Sequence, residues 1–174
     1  MSVYSNIEVV IKEIYEALSD NEEFLQLVSN DGANALSIPS SKTFNELVNG
    51  IDGKGKRLYL TPKKLNPAIY KGTYVMTYFN NGSRSGTGNV YFNDLTFTMD
   101  FLCHEDVWEM DDWKIRSYRL MDVIKKELEN IETVEAVRGR LDVGEPRIKN
   151  DYFYLGYSIN FKITGATDLM CKSE

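Results

Sequence analysis

The chain has 174 residues and is 43% hydrophobic, with 8 Phe and 11 Tyr, which suits one domain with a substantial core. Acidic residues outnumber basic ones 26 to 20, a formal charge of −6, and this argues against wholesale binding of phosphate backbones, which relies on Lys and Arg. No apolar run approaches the ~18 residues that a membrane span needs, and Cys103 and Cys171 alone make no disulfide framework, so the expectation is a protein made in a reducing cytoplasm with no export signal of its own.

In chain order, Ser5 and Glu8 have the spacing of a capping box, with Tyr4 and Val9 placed as a hydrophobic staple. Ile7, Val10, Ile11, Ile14 and Leu18 then form one helical stripe. Asp20 and Glu23 repeat the capping signal before Phe24, Leu25, Leu27 and Val28, and Asn30-Asp31-Gly32 ends that second helix. Residues 30–72 read as a long insertion. Within it Thr43 and Glu46 can cap one helical turn ending at Gly50, and Gly50, Gly53 and Gly55 mark a loop.

Residues 57–61 are a short strand candidate stopped by Pro62. Residues 73–79 and 90–103 read as the two strands of a hairpin whose polar turn spans 80–89. In the second strand Leu95, Phe97, Met99, Phe101 and Cys103 alternate with Thr96, Thr98 and Asp100, so one face suits a core and the other suits water or a partner. A helix follows over 112–130, with Trp113, Leu120, Met121, Ile124, Leu128 and Ile131 on one face and Asp111 and Asp112 at its electropositive start. Residues 134–143 and 152–164 pair as a second hairpin turning through 144–151, with Ser158, Asn160 and Lys162 on its polar side.

The fold class expected is therefore α+β: a mostly antiparallel sheet of two hairpins, with an N-terminal helix and one long amphipathic helix packed on one face. The domain spans 1–164, and 165–174 reads as a flexible tail with little to bury.

Three patterns suggest chemistry. His104-Glu105-Asp106, with Asp100, could serve a metal-dependent hydrolase or nuclease, or hold magnesium through carboxylates. One His cannot supply a zinc set, and the plainer reading is a solvated connection after a strand. Residues 50–56 satisfy G-x-x-x-x-G-K, but a phosphate-binding loop follows a strand and opens a helix, whereas here a helix precedes and a strand follows. Trp108, in the connection, suits either the end of the core or a subunit contact. The expectation is no catalytic site, no metal and no cofactor.

The runs TFTMDFLCHEDVW, KIRSYRLMDVIKKELENI, GRLDVGEP and NDYFYLGYSINFKI together resemble the tail terminator (tail completion) and related neck or head–tail joining proteins of long-tailed bacteriophages. What is shared is an order of elements over roughly residues 90–163: an aromatic alternating strand, an acidic connection, an amphipathic helix and a tyrosine-rich strand. The resemblance implies a structural virion protein made in the host cytoplasm. It implies a homo-oligomeric ring, commonly hexameric, that caps the tail tube, meets neck or head-completion proteins, and lets DNA pass through its lumen without specific binding. Candidate lumen or interface residues are Thr96, Thr98, Asp100, Glu105, Trp108 and Arg84, the last in the 80–89 tip.

Overall fold

The helical stripes and alternating strands meet in one core in the computed structural model, which describes residues 3–51, 55–84 and 93–166. Helix α1 (Val3–Ser19) buries Val10, Ile14 and Leu18 on the stripe the spacing predicts. It already includes Val3, so Ser5 and Glu8 lie within the helix rather than at its start. Helix α2 (Glu22–Ser29) is capped by Asn21, one residue beyond the expected Asp20; its side chain accepts from the Phe24 N–H at 2.9 Å. Helix α3 (Phe44–Asn49) opens on the predicted Thr43/Glu46 box, with both reciprocal bonds formed, and ends at Gly50.

One sheet has the order β1-β2-β3-β9-β7-β6, with β8 also on β9. Its long members are β2 (Thr73–Arg84), β3 (Asn93–His104) and β9 (Tyr154–Ala166); β2 pairs β3, and β3 pairs β9, both antiparallel. Strand β1 (Leu58–Tyr59) lies parallel to β2, so the sheet is mixed rather than the two antiparallel hairpins expected. A long crossover through Pro62 and Pro67 separates β1 from β2, and a connection of that length permits parallel pairing.

The second hairpin also differs. Strand β7 (Gly139–Val143) pairs the C-terminal half of β9, as expected, with the two-residue β6 (Thr133–Val134) at its outer side. The predicted turn 144–151 instead contains β8 (Arg147–Asp151), which pairs the N-terminal half of β9 through a tight turn at Tyr152-Phe153. Gly144 makes the switch: its N–H bonds Asn160 O at 2.9 Å, and the chain then leaves β7 for β8.

Helix α4 (Arg116–Glu129) starts four residues later than residue 112. Asp112 and Trp113 have φ of 62° and 61°, which no α-helix accommodates. They form the tip of a small hairpin, β4 (Glu109–Met110) against β5 (Lys114–Ile115). Trp113 is therefore fully exposed and does not belong to the buried helical stripe, whose members are Leu120, Val123, Ile124 and Leu128.

The helices cover one sheet face. On it Phe97 stacks on Phe161 with ring centroids 5.4 Å apart, and Phe79 meets Phe97 edge-on at 5.5 Å. Phe97 and Phe161, both fully buried, are each worth roughly 1.5–3 kcal/mol of apolar burial. The opposite face was expected to be polar and open. Part of it is covered: Tyr59, Leu65, Tyr74, Met76, Leu102 and Tyr154 form a second apolar cluster there, closed by the chain following β1. The 80–89 tip beyond Arg84, residues 52–54 of the glycine loop and the tail from 167 lie outside the described residues.

Candidate functional site

Asp100 sits in the middle of β3, on the face away from the helices, between Met76 of β2 and Ser158 of β9. Strand alternation puts it in line with Thr96 and Thr98, as the spacing predicts. Its residue exposure is only 2%. Tyr78 donates its hydroxyl to Oδ2 at 2.9 Å and Lys149, reaching over from β8, pairs with the same oxygen. Oδ1 has no hydrogen-bond partner among the described residues. Burial, then the bond to Asp100, push the Tyr78 phenol up to about 12.

Around it the face is a polar ladder. Asn80 donates to Thr98 Oγ1, which donates to Asn160 Oδ1 at 2.7 Å. Lys162 pairs with Asp94 at 2.7 Å. Thr98 is buried, Thr96 half-buried. A cavity of about 330 Å³ opens over Asp100, between residues 62–65, β2, β3 and β8. Lys149 closes an ion pair with the carboxylate there. Lys149→Met is expected to cost about 2–3 kcal/mol, discounted because the ammonium is itself partly solvated, with Asp100→Asn on the same background recovering part of the loss. Urea titration of the single and double variants measures the coupling.

The other predicted residues do not join this group. His104 is the buried N-cap of the 3-10 turn Glu105–Val107: Nδ1 accepts from the Asp106 N–H at 3.1 Å, and the ring stacks parallel to Phe153 and meets Tyr154 edge-on. Asp106 pairs with Lys71 at 3.0 Å, and that bond holds its carboxyl below the usual range. Glu105 faces solvent. The Asp100, His104, Glu105, Asp106 set is thus divided between a sheet face and a capped turn, and among the described residues no group of three or more such side chains could hold a metal ion. Trp108 is half-buried at the end of the core and donates its indole N–H to Cys103 O at 2.6 Å. Arg84 is the last residue of β2, opposite Asn93.

Cys103 is fully buried beside Thr73, and burial pushes its thiol from 9.0 up to about 11. The folded state therefore holds this proton more tightly than the unfolded chain does. Its contribution to stability is complete below pH 9 and is lost as pH rises towards 11. In a Cys171→Ser background, a disulfide reagent at pH 8 should leave the native thiol untouched and label it once denaturant unfolds the chain.

Lys149, the cavity and the exposed Trp113 escaped the sequence reading. The β8 segment RIKND has a period-2 pattern too short to separate from a turn, and DDW resembles a helix start.

The sequence profile of the YomW family matches residues 21–163, most of the chain. The chain belongs to the YomW family. The YomW match begins at the α2 cap and ends in β9, so it takes in the open face, the cavity and the Trp113 hairpin. No curated protein matches. Among solved structures, this YomW-family chain is similar to one described as "Cryo-EM Structure of an Extracellular Contractile Injection System, PVC sheath/tube terminator in extended state", at 12% identity and a TM-score of 0.36. That likeness covers 68% of this chain and 55% of the other, so the chain spans just over half of the protein it matches.

Proposed function

We propose that the chain is a structural virion protein that forms a homo-oligomeric ring at the head-proximal end of a phage tail, as a tail terminator or a neck component, capping the tail tube and joining tail to head. The reading assigns it no catalytic step. One observation carries it: the sheet has two uncovered borders that point in opposite directions. On one side β1 covers only Val75 and Met76 of the twelve-residue β2, and among the described residues no strand pairs the rest of its outer edge. The Tyr15 hydroxyl fills the step where β1 ends, donating to Tyr59 O at 3.0 Å. Val75 N–H bonds Arg57 O outward, so alternation turns the Phe79 N–H outward as well. On the other side β8 pairs β9 alone among the described residues.

An isolated chain with two such edges has unpaired backbone groups at both. A contact between unlike borders is heterologous, and repeated with a closing rotation it gives a ring. Glu105 and Thr96, with solvent-accessible side chains, are the lumen candidates that fit a passage for DNA without adhesion. Asp100 is answered by Lys149 within the subunit, so its charge contributes little there.

Light scattering on the purified chain, alone and with tail tubes, tests the reading. A closed species of uniform mass, seen as annuli by negative-stain microscopy, is expected. A chain that stays monomeric at every concentration and with tubes present overturns it.

A further inference from the structure

Trp113 is the most exposed large apolar side chain among the described residues, and it is held out by its backbone. Asp112 and Trp113 both sit in the left-handed region, at φ 62° and 61°, which Asp tolerates and a bulky Trp rarely adopts. A glycine would satisfy the Trp113 position of this three-residue loop better than a residue bearing an indole. The tip is fixed to the β1 side of the subunit: Asp111 N–H bonds Ala33 O at 2.9 Å, and neighbouring Asp31 pairs with Arg57, just ahead of β1, at 2.6 Å. The tip is also acidic. Glu109, Asp111 and Asp112 are exposed, against Lys114 alone.

The cavity over Asp100 has the opposite character. Leu65, Met76 and Leu102 give it apolar walls, and Lys63, Lys64 and Lys149 surround its mouth. It extends to β8 through Lys149 and Asn150, and so reaches the border opposite β1. At about 330 Å³ it falls at the small end of ligand sites, ~300–1,000 Å³, a size for one large side chain. Asp100 lines its floor, with Oδ2 held by Tyr78 and Lys149.

We propose that Trp113 of one copy seats in the Asp100 cavity of the next. The acidic tip then meets the lysine mouth, and the indole ring meets the apolar walls. Because the tip belongs to the β1 side and the cavity reaches the β8 side, the contact follows the meeting of unlike borders and is heterologous. It rests on the ring reading and names the contact that locks it. A tryptophan buried at the centre of such a contact, with charges excluded to its margin, has the make-up of an interface hot spot.

The test uses two full-length variants that disable opposite halves of the contact. Trp113→Gly removes the indole and relaxes the turn; Lys64→Glu reverses an exposed charge at the cavity mouth. Trp113→Gly should keep or raise the melting temperature while weakening assembly at least ~30-fold, the scale of a hot-spot loss. Lys64→Glu should fold normally and assemble poorly. An equimolar mixture should then give a species with one intact junction, a 1:1 dimer by light scattering, since Lys64→Glu copies keep Trp113 and Trp113→Gly copies keep the cavity. Wild-type assembly by Trp113→Gly would overturn this contact and leave the ring reading standing. A mixture that yields no dimer while both variants fail to assemble would also overturn it. Wild-type protein that never assembles would remove the ring reading and the contact together.

Discussion

Arg116→Met is expected to destabilise the folded chain by about 3–5 kcal/mol, because the side chain holds four backbone carbonyls at once. Arg116 opens α4 and is 0% exposed. Its Nε donates to Val107 O at 2.8 Å, and its terminal nitrogens donate to Leu27 O at 3.0 Å, to Asn30 O, and to Gly32 O at 2.7 Å. Leu27 and Asn30 belong to the C-terminal end of α2, where unpaired carbonyls and the helix dipole favour a cation. Burial lowers its pKa from the ordinary arginine value, and the guanidinium is stabilised chiefly by these oxygens rather than by a carboxylate in contact. Methionine fills much of the volume and satisfies none of the carbonyls. Lysine keeps the charge but lacks the planar fork, so Arg116→Lys should recover only part of the loss. Urea denaturation of the three proteins decides it, with the midpoint falling in the order wild type, lysine, methionine.

Gly156→Ala should be nearly as damaging, at about 3 kcal/mol or more, since overpacking that has to move backbone exceeds the ordinary cost of an added methyl. Gly156 lies opposite Leu102, two pairs from the end of the β3–β9 ladder. A Cβ there would stand 1.9 Å from Phe101 O and 2.9 Å from its carbonyl carbon. Those atoms are main chain at the centre of the sheet, so relief requires the two strands to separate. Gly165→Ala is the control: φ is +72° but nothing lies within 4 Å of the added carbon, so only the left-handed penalty of ~1–2 kcal/mol applies. A Gly156→Ala protein melting as high as the Gly165→Ala protein would mean that β3 and β9 pair in another register.

Periodicity made the long elements readable. The Leu95–Cys103 alternation and the Ile7–Leu18 stripe each contain enough repeats to fix a face, and β3 and α1 bury the expected residues; in β9 the alternation holds for Ile159, Phe161 and Ile163, whereas at its start Phe153 is exposed and Tyr154 is buried. Thr43 and Glu46 were readable because a capping box is a local device whose partners are three residues apart. What failed depends on distant groups. Whether Asp100 faces solvent is decided by Lys149 and by the chain after β1, and neither is close to it in sequence. The parallel pairing of β1, the Arg116 cluster and the covered part of the open face are likewise products of packing. Trp113 misled for a different reason: its spacing to Leu120 suits a helix, while two left-handed residues leave no mark in composition. The candidate site was therefore half legible, with its residues named and its burial missed.

Backbone hydrogen exchange on the assembled protein, compared with its monomer at low concentration, probes the two sheet borders directly. If copies join edge to edge, amides of residues 78–84 on β2 and 147–151 on β8 should slow together on assembly, while those of the helix-covered strands change little. An assembled ring in which both borders exchange as fast as in the monomer would contradict the account.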